Sequence, residues 1–121
     1  MYPVLSHFDP DLPVTLVTDA TIVGVGAVLM QNAPDGERTV AFASKALSRA
    51  QRNYGVTQLE LYAIVFAVEK FSYYLDTNRS FRVITDHSAI GSLLRTRDLT
   101  GRLARWVIRL SEYDVVRRSS T

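Results

Sequence analysis

Apolar and polar residues alternate from Val14 to Asp19, with Val14, Leu16 and Thr18 on one side and Thr15, Val17 and Asp19 on the other. This period of two predicts a strand. A second strand is expected from Ile22 to Gln31, where Gly24 and Gly26 permit close approach of backbone or substrate. Its Gly-x-Gly has no third glycine and opens no helix, which argues against dinucleotide binding. Pro34-Asp35-Gly36 signals a turn, and Thr39 to Ser44 a third strand. Connections this short make the three an antiparallel meander. Residues 1–13 carry three prolines and no clear period, and read as an incoming linker or edge segment.

The period then changes. Leu47 to Tyr54 is polar and irregular, and reads as at most a helical turn. A long helix is expected to open at Thr57 and run to about Tyr74, apolar nearly all round, as helices packed on a sheet are. Asn78-Arg79-Ser80 turns the chain into a fourth strand, Phe81 to Thr85. Strand, helix and strand imply a right-handed crossover, so the first and fourth strands should run parallel. Ligands bind such sheets at the carboxyl ends of the strands. His87 to Leu94 reads as a short helix and residues 95–98 as a loop. Thr100 to Glu112 forms an amphipathic helix, with Leu103, Trp106, Val107 and Leu110 on one side and Arg102, Arg105 and Arg109 on another. Tyr113 to Arg117 begins a fifth strand. The fold class is α/β, a mixed central sheet of three antiparallel strands followed by parallel ones, with flanking helices. No internal repeat or second domain is visible.

Composition narrows the picture. A chain of 121 residues, 47% hydrophobic and 21% charged, suits one domain with a core. The absence of cysteine excludes disulfides and thiolate metal sites and fits an intracellular setting. There is no uncharged apolar run long enough to span a membrane. The start lacks the basic and apolar segments of a signal peptide. The net charge of +2 is unevenly placed. From Arg95 onward, seven arginines and three acids leave a local balance of +4, and the remainder carries −2. An acidic part beside a basic tail suits a nucleic-acid enzyme, although a solvated basic helix produces the same imbalance.

The chemistry is carried by carboxylates. Val17-Thr18-Asp19 and Ile84-Thr85-Asp86 are β-branched apolar runs that each stop on an aspartate. Alone, either acid reads as a strand-end turn residue, and Asp86 also as the cap of the helix that follows. On adjacent parallel strands they become a pair. Glu60 has two readings. Thr57-x-x-Glu60 matches a capping box. Glu60 also shares a helical face with Ala63, Ile64, Ala67 and Phe71, where a carboxylate is costly unless a cation or hydrogen bonds satisfy it. Three converging carboxylates call for magnesium or manganese, and phosphodiester hydrolysis commonly uses two such ions about 3.5–4 Å apart.

These pieces, in this order, resemble the ribonuclease H domain of Ty3/gypsy-type retrotransposon reverse transcriptases. The matching segments are Val17-Thr18-Asp19-Ala20-Thr21, Gly24 to Leu29, Ala41 to Lys45, Asn53-Tyr54, Glu60 to Val65, Thr85-Asp86-His87 and Gly101 to Trp106. The resemblance spans about residues 3–117. It implies an RNase H-like domain over 14–121, with residues 1–13 leading from a polymerase domain of the same polyprotein. It also implies Mg2+- or Mn2+-dependent endonucleolytic cleavage of the RNA strand of an RNA–DNA hybrid. By motif, Asp19 would bridge both ions, Glu60 would hold the ion on the leaving-group side, and Asp86 would share it. Ser44, Lys45, Asn53 and Tyr54 correspond to positions near the substrate groove. His87 would contact a phosphate or begin a helix, and Arg102, Arg105 and Arg109 would track hybrid phosphates or face solvent. Trp106 reads as core.

The family continues past the fifth strand to an Ala-Asp-Ala-Leu-Ser-like segment whose aspartate is a fourth ligand, and this chain stops before it. In the family pattern Asp114 precedes the fifth strand and would sit at the wrong end of it, so it does not replace the fourth ligand. Weak binding of the second ion and little nuclease activity are therefore expected of the chain as given. The alternative is a catalytically weakened copy used as a structural or nucleic-acid-binding module. A different nuclease or transposase on the same sheet is disfavoured by the gypsy-like motifs. The expected setting is cytoplasm, virus-like particle or nucleus, and the expected state in isolation is a monomer.

Overall fold

A computed structural model describes residues 7–75, 80–84, 101–110 and 114–118. Strands β1 (Val14–Ala20), β2 (Gly24–Ala33) and β3 (Gly36–Ala46) form the expected meander, with β1 and β3 longer than expected and β2 shifted two residues along the chain. Ile22 and Val23 lie in the β1–β2 turn rather than in β2, and both are exposed. The turn is closed by Thr21, whose Oγ1 accepts from the amides of Val23 and Gly24. Gly36 adopts a φ of 122°, which a side chain tolerates poorly, and so ends the β2–β3 turn. A bulge after Leu29 adds Val40 to β3, and Val40 and Ala41 are both fully buried although they are consecutive.

The first long helix is α1 (Val56–Lys70), followed after Phe71 by the single turn α2 (Ser72–Leu75). The periodicity reads these as one helix. The chain instead breaks at Phe71, with φ −103° and ψ 17°. β4 (Ser80–Ile84) then pairs parallel to β1, with Val17 opposite Ile84. Helix α3 (Gly101–Leu110) and strand β5 (Asp114–Arg118) complete the described elements. The sheet order is β3-β2-β1-β4-β5, three antiparallel strands with two parallel ones added at β1, as expected. The expected helix over 87–94 and the loop over 95–98 lie outside the described residues.

The core lies between one sheet face and α1. Val14 and Leu16 of β1, Val25, Ala27 and Leu29 of β2, and Phe81 and Val83 of β4 meet Leu61, Ile64, Val68 and Phe71. Burying each large side chain is worth about 1.5–3 kcal/mol, which explains why α1 is apolar nearly all round. Val17, Val28 and Ile84 point to the other face and are half-buried, and their neighbour Phe42 is exposed.

Residues 7–13 are not a loose linker. Gln31 is 1% exposed. Its Oε1 accepts from the Asp9 amide at 2.9 Å, and its Nε2 donates to the carbonyls of Asp9 at 2.7 Å and Leu12 at 3.3 Å. Phe8 packs on Tyr74, with ring centroids 4.8 Å apart. Gln31→Leu should therefore cost about 2 kcal/mol, because it removes three hydrogen bonds and leaves backbone groups to be resolvated. Urea unfolding measures that cost. Hydrogen exchange at the Asp9 amide reports whether the segment is released.

Candidate functional site

Asp19 is the penultimate residue of β1, and its side chain is exposed. Register places it opposite Gly26 of β2, which in turn stands opposite Ser44 of β3. On the other side, Ile84 pairs with Val17. Asp19 follows Val17 by two residues, as Asp86 follows Ile84. Asp86 and His87 themselves lie outside the described residues. Asp114 starts β5 opposite Ser80, at the amino end of the parallel pair and away from Asp19.

The meander brings β3 back to the carboxyl end of β1, so α1 starts there and runs away from it. Glu60 lies in its second turn and is 8% exposed, among Ala63, Ile64, Ala67 and Phe71, all fully buried. The capping-box reading fails. Gly55 is the N-cap, it makes no side-chain cap bond, and Glu60 is the fifth helical residue rather than the third. On the same sheet face, the Thr18 hydroxyl is buried and has no hydrogen-bond partner. Thr18 and Glu60 thus lie on the α1 side of the sheet and Asp19 on the other side, all toward the carboxyl end of β1, and their carboxylate and hydroxyl oxygens are donors of the kind a hard divalent cation takes. Among the described residues no three acids or histidines form a cation cluster, and the third acid of the expected set is outside them.

The other expected residues separate into groups. Ser44 shares the row of Asp19. Lys45, one residue on, points to the opposite face, where its Nζ donates to the Tyr62 hydroxyl at 2.8 Å and sits 5.6 Å from that ring. Tyr62 lies 5.5 Å from Trp106 and 6.2 Å from Tyr54, which is 6.0 Å from Trp106. This aromatic group ties β3, α1 and α3 together. Trp106 is half-buried, so it borders the core rather than filling it. Lys45, Tyr62, Phe66, Glu69 and Lys70 line an open groove on the flank of α1. Tyr62 is the participant that sequence reasoning missed. Its only signal is a hydroxyl in an otherwise apolar helix, a group that needs a partner. Asn53 is exposed in a short 3-10 turn (Gln51–Asn53). Arg105 and Arg109 are exposed on α3, and Arg102 shares that helix.

Residues 9–113 match the model of the RNase H-like domain found in reverse transcriptase. The chain belongs to that family. The Transposon Tf2-3 polyprotein of Schizosaccharomyces pombe is 38% identical to this RNase H-like domain over 116 residues, 93% of the chain, and the Tf2-4 polyprotein matches equally. The domain spans only 9% of those polyproteins. These relatives bear out the Ty3/gypsy-type resemblance. Among solved structures, the foamy viral protease-reverse transcriptase in complex with dsDNA superposes with a TM-score of 0.74 at 14% identity, over 97% of this chain and 25% of that one. The N-terminal RNase H domain of a Mycobacterium tuberculosis protein gives 0.57 at 14% identity, over 89% of this chain and 88% of that one. The fold is thus RNase H-like.

Proposed function

We propose that this domain hydrolyses the RNA strand of RNA–DNA hybrids endonucleolytically and depends on a divalent metal, as the ribonuclease module of a retroelement reverse transcriptase. The observation that carries this reading is the buried Glu60 in the second turn of α1, near the strand end that holds Asp19, within a chain of this family. A structurally similar foamy viral protease-reverse transcriptase is known in complex with RNA/DNA hybrid, which supports the substrate class.

Asp19, Glu60 and Asp86 hold the ions in this reading. Bound magnesium or manganese supplies Lewis acidity, activating water and offsetting charge on the scissile phosphate. The exposed carboxylate of Asp19 reaches toward solvent and substrate. The burial of Glu60 limits its rotamers and keeps its oxygens in one place. Arg105 and Arg109, exposed on α3, provide charge for the phosphates of the duplex, together with Arg102 on the same helix. Ser44, Asn53 and Tyr54 are the candidate substrate contacts, Lys45 stands on the α1 side beside Tyr62, and His87 is assigned a phosphate contact by motif alone. Residues 7–13, held by Gln31, lead from the polymerase domain.

The test is cleavage of an end-labelled RNA–DNA hybrid in magnesium and in manganese, compared with duplex DNA and duplex RNA. Cleavage confined to the RNA strand of the hybrid supports the reading. Steeply salt-dependent hybrid binding with no cleavage in either metal, by this chain and by the chain extended through its natural continuation, would replace it with a binding module.

A further inference from the structure

Two glycines of β2 lie on the same sheet face, and they are glycines for different reasons. A Cβ on Gly24 would meet the Lys45 carbonyl oxygen at 3.0 Å, so close strand approach requires glycine there. A Cβ on Gly26 would meet nothing nearer than the Ala43 carbonyl oxygen at 3.8 Å, an ordinary contact. Gly26 does not have a positive φ either, since among the described glycines only Gly36 and Gly101 do. Neither packing nor backbone conformation asks for glycine at 26. In the interior of a strand glycine is unfavourable, being both flexible and unable to pack.

What glycine provides at 26 is clearance. Gly26 stands in one cross-strand row between Asp19 and Ser44. Directly opposed residues project to the same face, here the face away from α1. Asp19 and Ser44 are two strands apart, roughly 10 Å, with bare backbone between them. The next row inward is filled by Val17, Val28 and Phe42. The notch therefore has a carboxylate on one wall, a hydroxyl on the other and an apolar back.

We infer that the Gly26 notch seats the sugar–phosphate backbone of the strand to be cut, making Gly26 a specificity-determining position through the side chain it lacks. A polynucleotide brought against Asp19 must cross the neighbouring strand, and over β2 the floor is open. The Ser44 hydroxyl, exposed at the far wall, can donate to or accept from a ribose or phosphate oxygen. This inference rests on the hybrid-nuclease reading.

The test measures binding of a fluorescein-labelled RNA–DNA hybrid by anisotropy, beside thermal unfolding, for the unmodified chain, Gly26→Ala and Gly26→Val. A steric seat predicts that Gly26→Val weakens binding at least tenfold and Gly26→Ala less, while Tm stays level or rises because both residues suit a strand better than glycine. A glycine needed by the fold would instead lower Tm. Unchanged affinity of Gly26→Val, or a lowered Tm in both variants, overturns the inference. Asp19→Asn separates it from the reading beneath it, because that variant should bind hybrid and fail to cut it. Binding without cutting by the unmodified chain sinks the nuclease reading, and cutting by Asp19→Asn removes Asp19 from the metal site, while in either case the anisotropy series still judges the notch. Failure of the unmodified chain to bind hybrid sinks both.

Discussion

Asp19→Asn and Glu60→Gln should each lower hybrid cleavage by about 10³-fold or more, corresponding to roughly 4 kcal/mol of lost transition-state stabilisation. The size follows from the metal-holding role proposed for these carboxylates. Replacing one oxygen ligand by an amide keeps the shape but removes the negative charge that holds a divalent cation. The two variants should differ in how they affect the fold. Asp19 is exposed, so its substitution leaves stability within about 0.5 kcal/mol. Glu60 is 8% exposed on the helix that forms the core, so its amide changes a buried environment and shifts stability measurably. A second readout is independent of turnover. Manganese at about 100 times its dissociation constant should stabilise the unmodified chain by about 2.7 kcal/mol, seen as a higher Tm. That gain should shrink or vanish in both variants. Undiminished cleavage and undiminished metal stabilisation in both variants would show that the ions sit elsewhere.

Phe71→Ala should bring the chain close to unfolding, with a loss of about 3–5 kcal/mol. Phe71 is completely buried and sits where α1 ends and α2 begins. Its amide donates to the Ala67 carbonyl, and its own carbonyl accepts from the amides of Tyr74 and Leu75. The ring fills the core where Leu16, Leu29, Ile64 and Leu75 are also fully buried. Truncation removes that contact area and leaves a cavity that a helix–sheet interface closes only in part. A small domain has about 5–15 kcal/mol in total, so the variant loses a large share of its stability. Urea denaturation with constant slope measures the loss. Phe71→Leu, which retains most of the volume, should cost less than half as much.

Some of the fold and site was legible in the chain, and the reason differs from one residue to the next. The three strands, the long apolar helix and the parallel return to β4 were readable because period two and period 3.6 are local, and because crossover handedness restricts topology. Ends were misplaced where a contact outside the period decides them. Ile22 and Val23 look like strand residues but are exposed in the β1–β2 turn, where Thr21 bonds the turn amides. The helix expected to run on to Tyr74 stops at Phe71.

The sequence by itself determined the family. Asp19, Glu60 and Asp86, with their flanking residues, are enough to place the chain in its family, because such motifs are short and contiguous. Tertiary structure alone decided what surrounds them. The N-cap of α1 at Gly55 removed the capping-box role of Glu60 and left it as a buried acid. Lys45 was separated from Ser44 and joined to Tyr62, 17 residues away. Gln31 was turned from the end of a strand into the clamp for residues 22 positions earlier. Gly24 and Gly26 are two residues apart and chemically identical in the sequence. Only the distance to the neighbouring strand shows that one is required by packing and the other leaves open floor beside Asp19. Periodicity encodes which face a residue takes, whereas the partner it meets there is set by chain folded back from far along the sequence.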